Sequence, residues 1–426
     1  MKKFIKTISV LILSLIMCFG VAGCNFIDNS GNGSYSGSVY PDSKQLSENV
    51  TITENETEEK PSLIKAVDKV ARSVVAIRIT KGSSSGGGSG VIVDIDDGVN
   101  AENVYYIITC HHVVSGGGNI AVYVPDVNGR NYGDDDYDTK YAFSGIIDNK
   151  IHNDKEVRLV GGDKTSDVAV LKLVLPDNSY DIVTAKIPTD DYVTKVGEEV
   201  FSVGNPTGEL PGTVSHGIVS YINRKASVDS VGEMTLNQID VQINPGNSGG
   251  GLFNYYGELV GITNAGNTDY DGINFAIPLT VPVNEEKGVD NGFKNISRQL
   301  IASATENNYG YISGRWALGV SVGEETNRYS GSYVYVSGVE EYGNFAIAGI
   351  KANDMINSVT YNGKTHVVTT VSSFSKIVAD MKNYIKVGDE IIVNVSRHTL
   401  SVKTSADIKV TLYQYIFCNT GYTPAP

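Results

Sequence analysis

The hydrophobic pattern divides the chain into an apolar N-terminal run, a polar stretch and a long region of short apolar segments. Residues 8–21 are largely apolar, whereas residues 25–60 are rich in Gly, Ser, Asn, Asp and Glu. From residue 61 onward, apolar segments of strand length recur between turn-forming residues. This pattern predicts a mainly β protein whose folded part begins after residue 60.

The first folded part is predicted to start with a helix and to continue as strands. Apolar residues recur at helical spacing over residues 64–71, and residues 73–80, 91–94 and 104–109 have the composition of strands. The glycine-rich segment 81–90 predicts a mobile loop. A strand rather than a helix follows this segment, which argues against a phosphate-binding loop.

The second folded part is predicted to be a compact α+β unit. Residues 293–305 have helical spacing and close the first domain. Strands are predicted at 318–322, 333–336, 388–395 and 408–412, with an amphipathic helix over 374–384. The predicted domains are therefore residues 61–306 and 307–415, followed by a tail of residues 416–426.

The N-terminal run has the features of a secretory signal. Lys2, Lys3 and Lys6 precede it, and it is short for a membrane span. It ends in Val-Ala-Gly-Cys at residues 21–24, which resembles the cleavage site of bacterial lipoproteins. We therefore expect a signal peptide over residues 1–23, a lipid on Cys24 and a flexible tether over residues 24–60. The alternative is an ordinary signal peptide or an uncleaved anchor.

Charge and cysteine content narrow the class of protein. The net charge is −14 and no Lys/Arg cluster follows the N-terminus, so nucleic acid is not an expected partner. Only Cys110 and Cys418 would remain beside a lipidated Cys24, so no disulfide framework is predicted. The acidic segment 134–138 lacks the glycine and the terminal glutamate of a calcium loop and is predicted to be solvated.

The strongest chemical signal is a glycine-flanked serine, Gly-Asn-Ser-Gly-Gly at residues 246–250. Glycines permit a tight turn and let backbone N–H groups point at a reacting carbonyl. The stretch fits both the nucleophile elbow of α/β-hydrolases and the serine turn of chymotrypsin-like proteases. The elbow requires a helix after Ser248, but residues 252–262 read as a β-hairpin. A glycine-rich surface loop with an incidental serine is the remaining alternative.

Two upstream motifs supply partners for Ser248. His111 and His112 follow a predicted strand, and adjacent histidines on extended chain rarely share a metal ion. Asp167 directly precedes the apolar run 168–173, which would hold its carboxylate at the edge of the core. The order His, Asp, Ser is that of chymotrypsin-like enzymes.

With these motifs the chain resembles the bacterial HtrA/Deg family of trypsin-like serine proteases. The histidine motif is Thr-Cys-His-His-Val at residues 109–113, the aspartate motif spans 166–172 and the serine motif spans 238–250. The resemblance covers roughly residues 60–415. It implies a chymotrypsin-like double antiparallel β-barrel followed by an α+β PDZ domain.

The resemblance also implies the roles of individual residues. Ser248 would be the nucleophile, His112 the general base and Asp167 its orienting partner, with an oxyanion hole at Gly246, Asn247 and Ser248. The PDZ loop that holds a peptide carboxylate would be formed by Trp316, Ala317, Leu318 and Gly319. No metal or organic cofactor is expected, and the implied substrates are unfolded proteins or peptides.

The resemblance further implies a homotrimer acting in the cell envelope. Two other function classes remain open: a catalytically silent, chaperone-like peptide-binding protein on the same fold, and an esterase of the α/β-hydrolase type. The motif order and the hairpin after Ser248 argue against the esterase.

The choice between the two histidines rests on the family pattern, which places the base directly before Val113 and so selects His112. Extended chain would point His111 and His112 to opposite sides. We expect His111 at the rim of the site or in solvent.

Overall fold

The computed structural model describes residues 61–414 except 95–102, 126–140, 149, 177–179, 181, 206–211, 229–230, 267–270, 283–289, 307, 328–330, 341–342 and 400–401. The predicted signal peptide, the tether with Cys24, the acidic segment 134–138 and the tail 416–426 lie outside these residues. In the described part, no helix is both long enough and apolar enough to span a bilayer.

Nineteen strands, five α-helices and one short 3₁₀ helix (Ala71–Ser73) make up the described elements. The helices are α1 (Leu63–Val70), α2 (His111–Val114), α3 (Phe293–Ser303), α4 (Asn344–Ile347) and α5 (Val371–Tyr384). The strands of the first half are β1 (Val74–Lys81), β2 (Ser84–Val93), β3 (Val104–Cys110), β4 (Gly118–Tyr123), β5 (Ala142–Ile147), β6 (Val157–Asp163), β7 (Val168–Val174), β8 (Glu199–Gly204), β9 (Thr213–Val228) and β10 (Gly232–Ile239). The remaining strands are β11 (Gly251–Asn254), β12 (Leu259–Gly266), β13 (Asn274–Pro278), β14 (Val320–Asn327), β15 (Gly331–Val339), β16 (Met355–Tyr361), β17 (Lys364–Val367), β18 (Glu390–Thr399) and β19 (Val402–Thr411).

The first seven strands form a closed barrel in the order β1-β2-β3-β7-β6-β5-β4. Strand alternation explains which side chains fill it: Val75, Ile77 and Ile79 of β1 face the interior, together with Ile107 and Leu171. All pairings are antiparallel except one parallel bridge between β5 and β6. The end of β3 and the end of β6 both lie beside the start of β7, because Cys110 and Asp163 each pair with Val168.

The next six strands form a second closed barrel in the order β10-β13-β12-β11-β8-β9. A shared core joins the two barrels: Ile108 and Val170 of the first contact a cluster that contains Phe201 and Phe253 of the second. The rings of Phe201 and Phe253 stack with centroids 5.6 Å apart. Helix α3 closes this core with Leu300 and its neighbours, as its helical spacing predicted.

The C-terminal part is a sheet in the order β14-β15-β16-β18-β19, with β17 paired to β16. Helix α5 packs Phe374, Ile377 and Met381 against it. The predicted fold class, a chymotrypsin-like double barrel followed by an α+β PDZ domain, is therefore confirmed.

The predicted mobile loop over residues 81–90 is wrong. Ser84–Val93 is strand β2, and its glycine-rich half pairs antiparallel with β1, where Ile77 lies opposite Gly88. Gly87, Gly88 and Gly90 are required by close approach of other groups, since a Cβ on Gly90 would lie 2.5 Å from the Ile107 side chain. Glycine content therefore marked tight packing beside a neighbour rather than mobility.

Candidate active site

Asp167 lies in a tight turn between β6 and β7. The Asp163 carboxylate closes this turn, because its Oδ2 accepts the Ser166 N–H at 2.8 Å and the Ser166 hydroxyl at 2.5 Å. Asp167 has a φ of 55°, in the left-handed region that aspartate tolerates better than most residues. Its side chain is fully buried. The turn therefore fixes a buried carboxylate at the start of β7.

His112 contacts this carboxylate twice. Its Nδ1 lies 2.6 Å from Asp167 Oδ2, and its backbone N–H donates to Oδ1 at 2.8 Å. Because an ionised carboxylate only accepts, Nδ1 carries the proton of this pair. A neutral His112 then presents an unprotonated Nε2, and its side chain is 27% exposed. The arrangement places a proton acceptor at the surface and its carboxylate partner in the interior.

The histidines do not lie on extended chain as expected. Strand β3 ends at Cys110, and His111–Val114 forms one helical turn, so neighbouring side chains diverge by about 100°. His111 is buried rather than at the rim, and its N–H donates to the Asp167 carbonyl at 2.9 Å. Burial lowers the pKa of His111 from 6.5 to about 4, against the attraction of the Asp167 and Asp163 carboxylates. His111 is thus kept neutral behind the site.

Ser248 projects from a turn that only glycine can form. Gly246 and Gly249 have φ values of 98° and 86°, and a Cβ on Gly249 would lie 2.2 Å from the Ser89 carbonyl oxygen. The Ser89 N–H donates to the Ser248 carbonyl at 2.8 Å, which ties the turn to the first barrel. The Ser248 hydroxyl donates to the Asn264 carbonyl at 2.8 Å.

The predicted oxyanion hole involves three consecutive residues, which the structure distinguishes. The Asn247 N–H donates to the Asn244 carbonyl at 2.9 Å inside the turn. Within the described ranges, the N–H groups of Gly246 and Ser248 form no hydrogen bond to protein. These two N–H groups of the turn are therefore open to an acceptor from outside the protein.

Asn264 is a site residue that sequence reasoning missed. Its side-chain Nδ2 donates to Asp167 Oδ2 at 2.6 Å, while its backbone carbonyl accepts a hydrogen bond from the Ser248 hydroxyl. One buried residue of β12 thus touches two of the three predicted catalytic residues. The only signal in the sequence is the polar pair Thr263-Asn264 within an apolar strand.

Cys110 lies directly beneath these groups. It is fully buried, its thiol donates to the Thr263 carbonyl at 3.4 Å, and Asn264 Nδ2 lies 3.7 Å from its sulfur. Burial, reinforced by the Asp167 carboxylate, raises the pKa of the Cys110 thiol well above its usual value. The thiol is therefore protonated and a poor nucleophile at neutral pH.

The predicted carboxylate-binding loop precedes the edge strand β14. The carbonyls of Ala317, Leu318 and Gly319 accept hydrogen bonds from the Asn344 side chain, the Phe345 N–H and the Glu340 N–H, at 2.8, 2.9 and 2.9 Å. The Trp316 indole donates to the Ile385 carbonyl at 2.9 Å. The loop is thus anchored through its carbonyl groups, and the N–H groups of Leu318 and Gly319 take no part in this anchoring.

Several known proteins are similar to this chain. Residues 88–262 match the model of the trypsin-like peptidase domain family. Periplasmic serine endoprotease DegP of Escherichia coli (strain K12) is 30% identical over 330 residues, which cover 76% of this chain and 56% of that protein. Serine protease Do-like HtrA of Lactobacillus helveticus is 32% identical over 338 residues, or 76% of this chain and 68% of that protein. The serine endoprotease from Yersinia pestis, a solved structure, is 25% identical with a TM-score of 0.44, and the match covers 84% of this chain and 100% of that one.

The two closed barrels and the matched peptidase domain place the chain in the class of trypsin-like serine proteases. Within that class, the identity shared with the Lactobacillus helveticus protein over most of both chains shows that it belongs to the HtrA family. The chain spans 56% of the length of its DegP relatives.

Proposed function

We propose that the protein is a serine endopeptidase that cleaves unfolded or damaged proteins through an acyl-enzyme. The observation that carries the proposal is the pairing of His112 Nδ1 with the buried Asp167 carboxylate at 2.6 Å, together with Asn264, which links that carboxylate to the Ser248 hydroxyl. This pairing fixes the tautomer that a general base requires.

The reaction begins when the Ser248 hydroxyl turns from the Asn264 carbonyl towards His112 Nε2. His112 takes the hydroxyl proton as the oxygen attacks the peptide carbonyl, and Asp167 stabilises the resulting imidazolium. The N–H groups of Gly246 and Ser248 hold the oxyanion. His112 then protonates the leaving amine, and a water molecule attacks the acyl-enzyme by the same route.

Labelling with a fluorophosphonate and digestion of unfolded casein test this assignment. Ser248→Ala and His112→Gln should each abolish labelling. Each should also lower the proteolytic rate by a factor on the order of 10⁴ to 10⁶, because the residues of a catalytic triad act together. His111→Gln is the matched control. The His111 side chain is next in sequence to His112 but is buried behind the site, so this substitution should leave labelling intact. Proteolysis by Ser248→Ala at the wild-type rate would exclude Ser248 as nucleophile.

The same experiment addresses the catalytically silent alternative. The hydrogen bond of the Ser248 hydroxyl to a backbone carbonyl fits a resting state, which an inactive binding protein would keep permanently. If wild-type protein suppresses casein aggregation without cleavage or labelling, the chaperone-like function replaces the peptidase.

We further propose that the enzyme acts as a homotrimer at the extracytoplasmic face of the membrane, anchored by lipid on Cys24. The support is the lipoprotein-like sequence before Cys24 and the periplasmic relatives. Metabolic labelling with a fatty-acid probe should mark the wild type and not Cys24→Ser, because only a lipid anchor requires that thiol. Equal labelling of both would exclude it, and light scattering of the detergent-solubilised protein gives the subunit number.

A further inference from the structure

Three side chains of metal-binding type converge in the candidate active site. The sulfur of Cys110, a ring nitrogen of His112 and a carboxylate oxygen of Asp167 all lie within 4.8 Å of one another. Sequence spacing gave no sign of this set, because β3, α2 and the turn before β7 bring the residues together only in the folded barrel. In the described part of the chain, it is the one group of three or more such residues close enough to share an ion.

The donor set has a definite chemical preference. One thiolate, one imidazole and one carboxylate are ligands of Zn²⁺ and of softer divalent cations rather than of Mg²⁺ or Ca²⁺. A thiolate and a carboxylate carry two negative charges, which a divalent cation neutralises. A neutral complex is the form that a buried site tolerates. Cys110 and Asp167 are both fully buried, so this balance matters here.

We propose that Cys110, His112 and Asp167 form an inhibitory site for one Zn²⁺-like divalent cation. The ion bonds to the Cys110 sulfur, His112 Nδ1 and an Asp167 carboxylate oxygen. The S–H and Nδ1–H bonds break: the thiol proton goes to solvent, and the imidazole keeps one proton, now on Nε2. A His112 protonated at Nε2 cannot accept the Ser248 proton, so the ion locks the wrong tautomer.

The donor atoms must spread apart to hold the ion. His112 Nδ1 and Asp167 Oδ2 are 2.6 Å apart, whereas two ligands of a tetrahedral Zn²⁺ are separated by about 3.3 Å. His112 is the member of the set closest to solvent, because its side chain is 27% exposed whereas Asp167 is fully buried. Asn264 lines the same space: its Nδ2 touches the sulfur, and its Oδ1 is buried without a hydrogen bond in the described structure. Rotation of this amide would offer Oδ1 as a fourth ligand.

Cadmium titration tests binding without relying on catalysis. The full chain carrying Cys18→Ser, Cys24→Ser and Cys418→Ser keeps Cys110 as its only thiol. On this background we expect an ultraviolet thiolate-to-cadmium absorption band that saturates at one Cd²⁺ per chain. Adding Ser248→Ala should leave the band unchanged, so the result does not depend on whether the protein is a protease.

Substitution of each ligand identifies the site. Cys110→Ser, or Cys110→Ala if the first fails to fold, should abolish the band. His112→Gln should weaken Cd²⁺ binding by on the order of tenfold or more. His152→Gln is the matched control, because His152 pairs with Asp148 in an exposed loop away from the thiol. A band that is equally strong in His112→Gln, or no band at stoichiometric Cd²⁺, would overturn the proposal.

Inhibition is the second readout and rests on the proposed peptidase activity. Zn²⁺ should inhibit casein cleavage by the wild type, and Cys110→Ala, measured against its own uninhibited rate, should need at least about tenfold more Zn²⁺. Equal sensitivity of both proteins would show that Zn²⁺ inhibits elsewhere. If no variant cleaves casein while the Cd²⁺ band still depends on Cys110 and His112, the metal site stands and the peptidase assignment fails.

Discussion

The Asp167 carboxylate is the residue on which the rest of the site depends. It accepts hydrogen bonds from the His112 backbone, the His112 ring and the Asn264 amide, at 2.8, 2.6 and 2.6 Å. A buried carboxylate is costly unless its oxygens are satisfied, and hydrogen bonds to a charged acceptor are the strong ones. Asp167 therefore orders three neighbouring donors, one of which is the imidazole of His112.

His111 should make the fold sensitive to acid. Burial holds its folded pKa at about 4, whereas the unfolded value is 6.5. Above pH 6.5 His111 is neutral in both the folded and the unfolded state, so its protonation does not change the free energy of unfolding. As the pH falls from 6.5 to about 4, only the unfolded chain takes up the proton, so stability falls by about 1.4 kcal/mol per pH unit. We expect His111→Gln to flatten the loss of melting temperature over this range.

Thermal unfolding of both proteins between pH 7 and pH 4 measures the effect. His111→Asn is a second test variant, because it removes the same buried titrating group and should flatten the curve in the same way. Parallel curves for the wild type and His111→Gln would show that His111 is not held neutral by burial.

The residue types of the candidate site could be predicted from the sequence, but the residues that contact them, such as Asn264, could not. The glycines around Ser248 and the histidine pair before Val113 are local signals, whereas the choice of His112 over His111 rests on the family pattern. Asn264 is far from Asp167 in the chain, and its role appears only when β12 of the second barrel meets the turn of the first. The burial of His111 depends on where β3 gives way to a helical turn.

Strand β2 is the element that brings the first barrel against the serine turn. Its Ser89 N–H donates to the Ser248 carbonyl, and its Ser89 hydroxyl donates to the Gly246 carbonyl, both at 2.8 Å. Such close backbone contact is possible only because Gly88 has no side chain: a Cβ there would lie 2.8 Å from the Ser248 carbonyl oxygen.

Gly88→Ala should therefore push the serine turn out of position. The added methyl would also meet the Val113 side chain at 2.7 Å, next to His112. We expect a loss of about 1–3 kcal/mol in stability, as for other overpacked sites, together with a lower rate of fluorophosphonate labelling. Gly86→Ala on the same strand is the control, because nothing lies within 4 Å of its Cβ. Similar labelling rates for the two variants would contradict this account.

Element types were predictable where apolar periodicity was strong, as in α1, α3 and α5, and failed where backbone packing decided the outcome. The glycine run of β2 has no side-chain pattern to read, and its strand form comes from pairing with the apolar strand β1. The glycine-rich sequence favours a loop, but pairing with β1 holds it as a strand, and local sequence does not show such pairing.

At the scale of the molecule, the C-terminal sheet is tied to the turn that carries Asp167. Arg315, which directly precedes the Trp316–Gly319 loop, pairs with Asp163, and both side chains are largely buried. The same guanidinium donates to Asn291 before α3. The loop proposed to bind peptides is therefore joined through Arg315 and Asp163 to the turn that positions the Asp167 carboxylate.

The loop itself should recognise a chain terminus. Its carbonyls are held by Asn344, Phe345 and Glu340, and in the described structure the N–H groups of Leu318 and Gly319 make no hydrogen bond. N–H groups at the start of an edge strand suit a carboxylate, while β14 offers its free edge to the rest of the peptide. We expect peptides with a free C-terminal carboxylate to bind more tightly than their amidated forms.

Binding should be measured on the full chain with Ser248→Ala, so that peptides are not cleaved. Fluorescence anisotropy of a peptide library with apolar C-terminal residues, each member in free-acid and amidated form, gives the comparison. Gly319 is the residue to alter, because its φ of 65° and a Cβ position 2.4 Å from Gly343 leave no room for a side chain. Gly319→Ala should weaken free-acid binding, whereas Gly314→Ala, which also has positive φ but open space around it, reports the effect of backbone strain alone. Equal affinity for both peptide forms would mean that the C-terminal domain does not read a carboxylate and packs only as a structural unit.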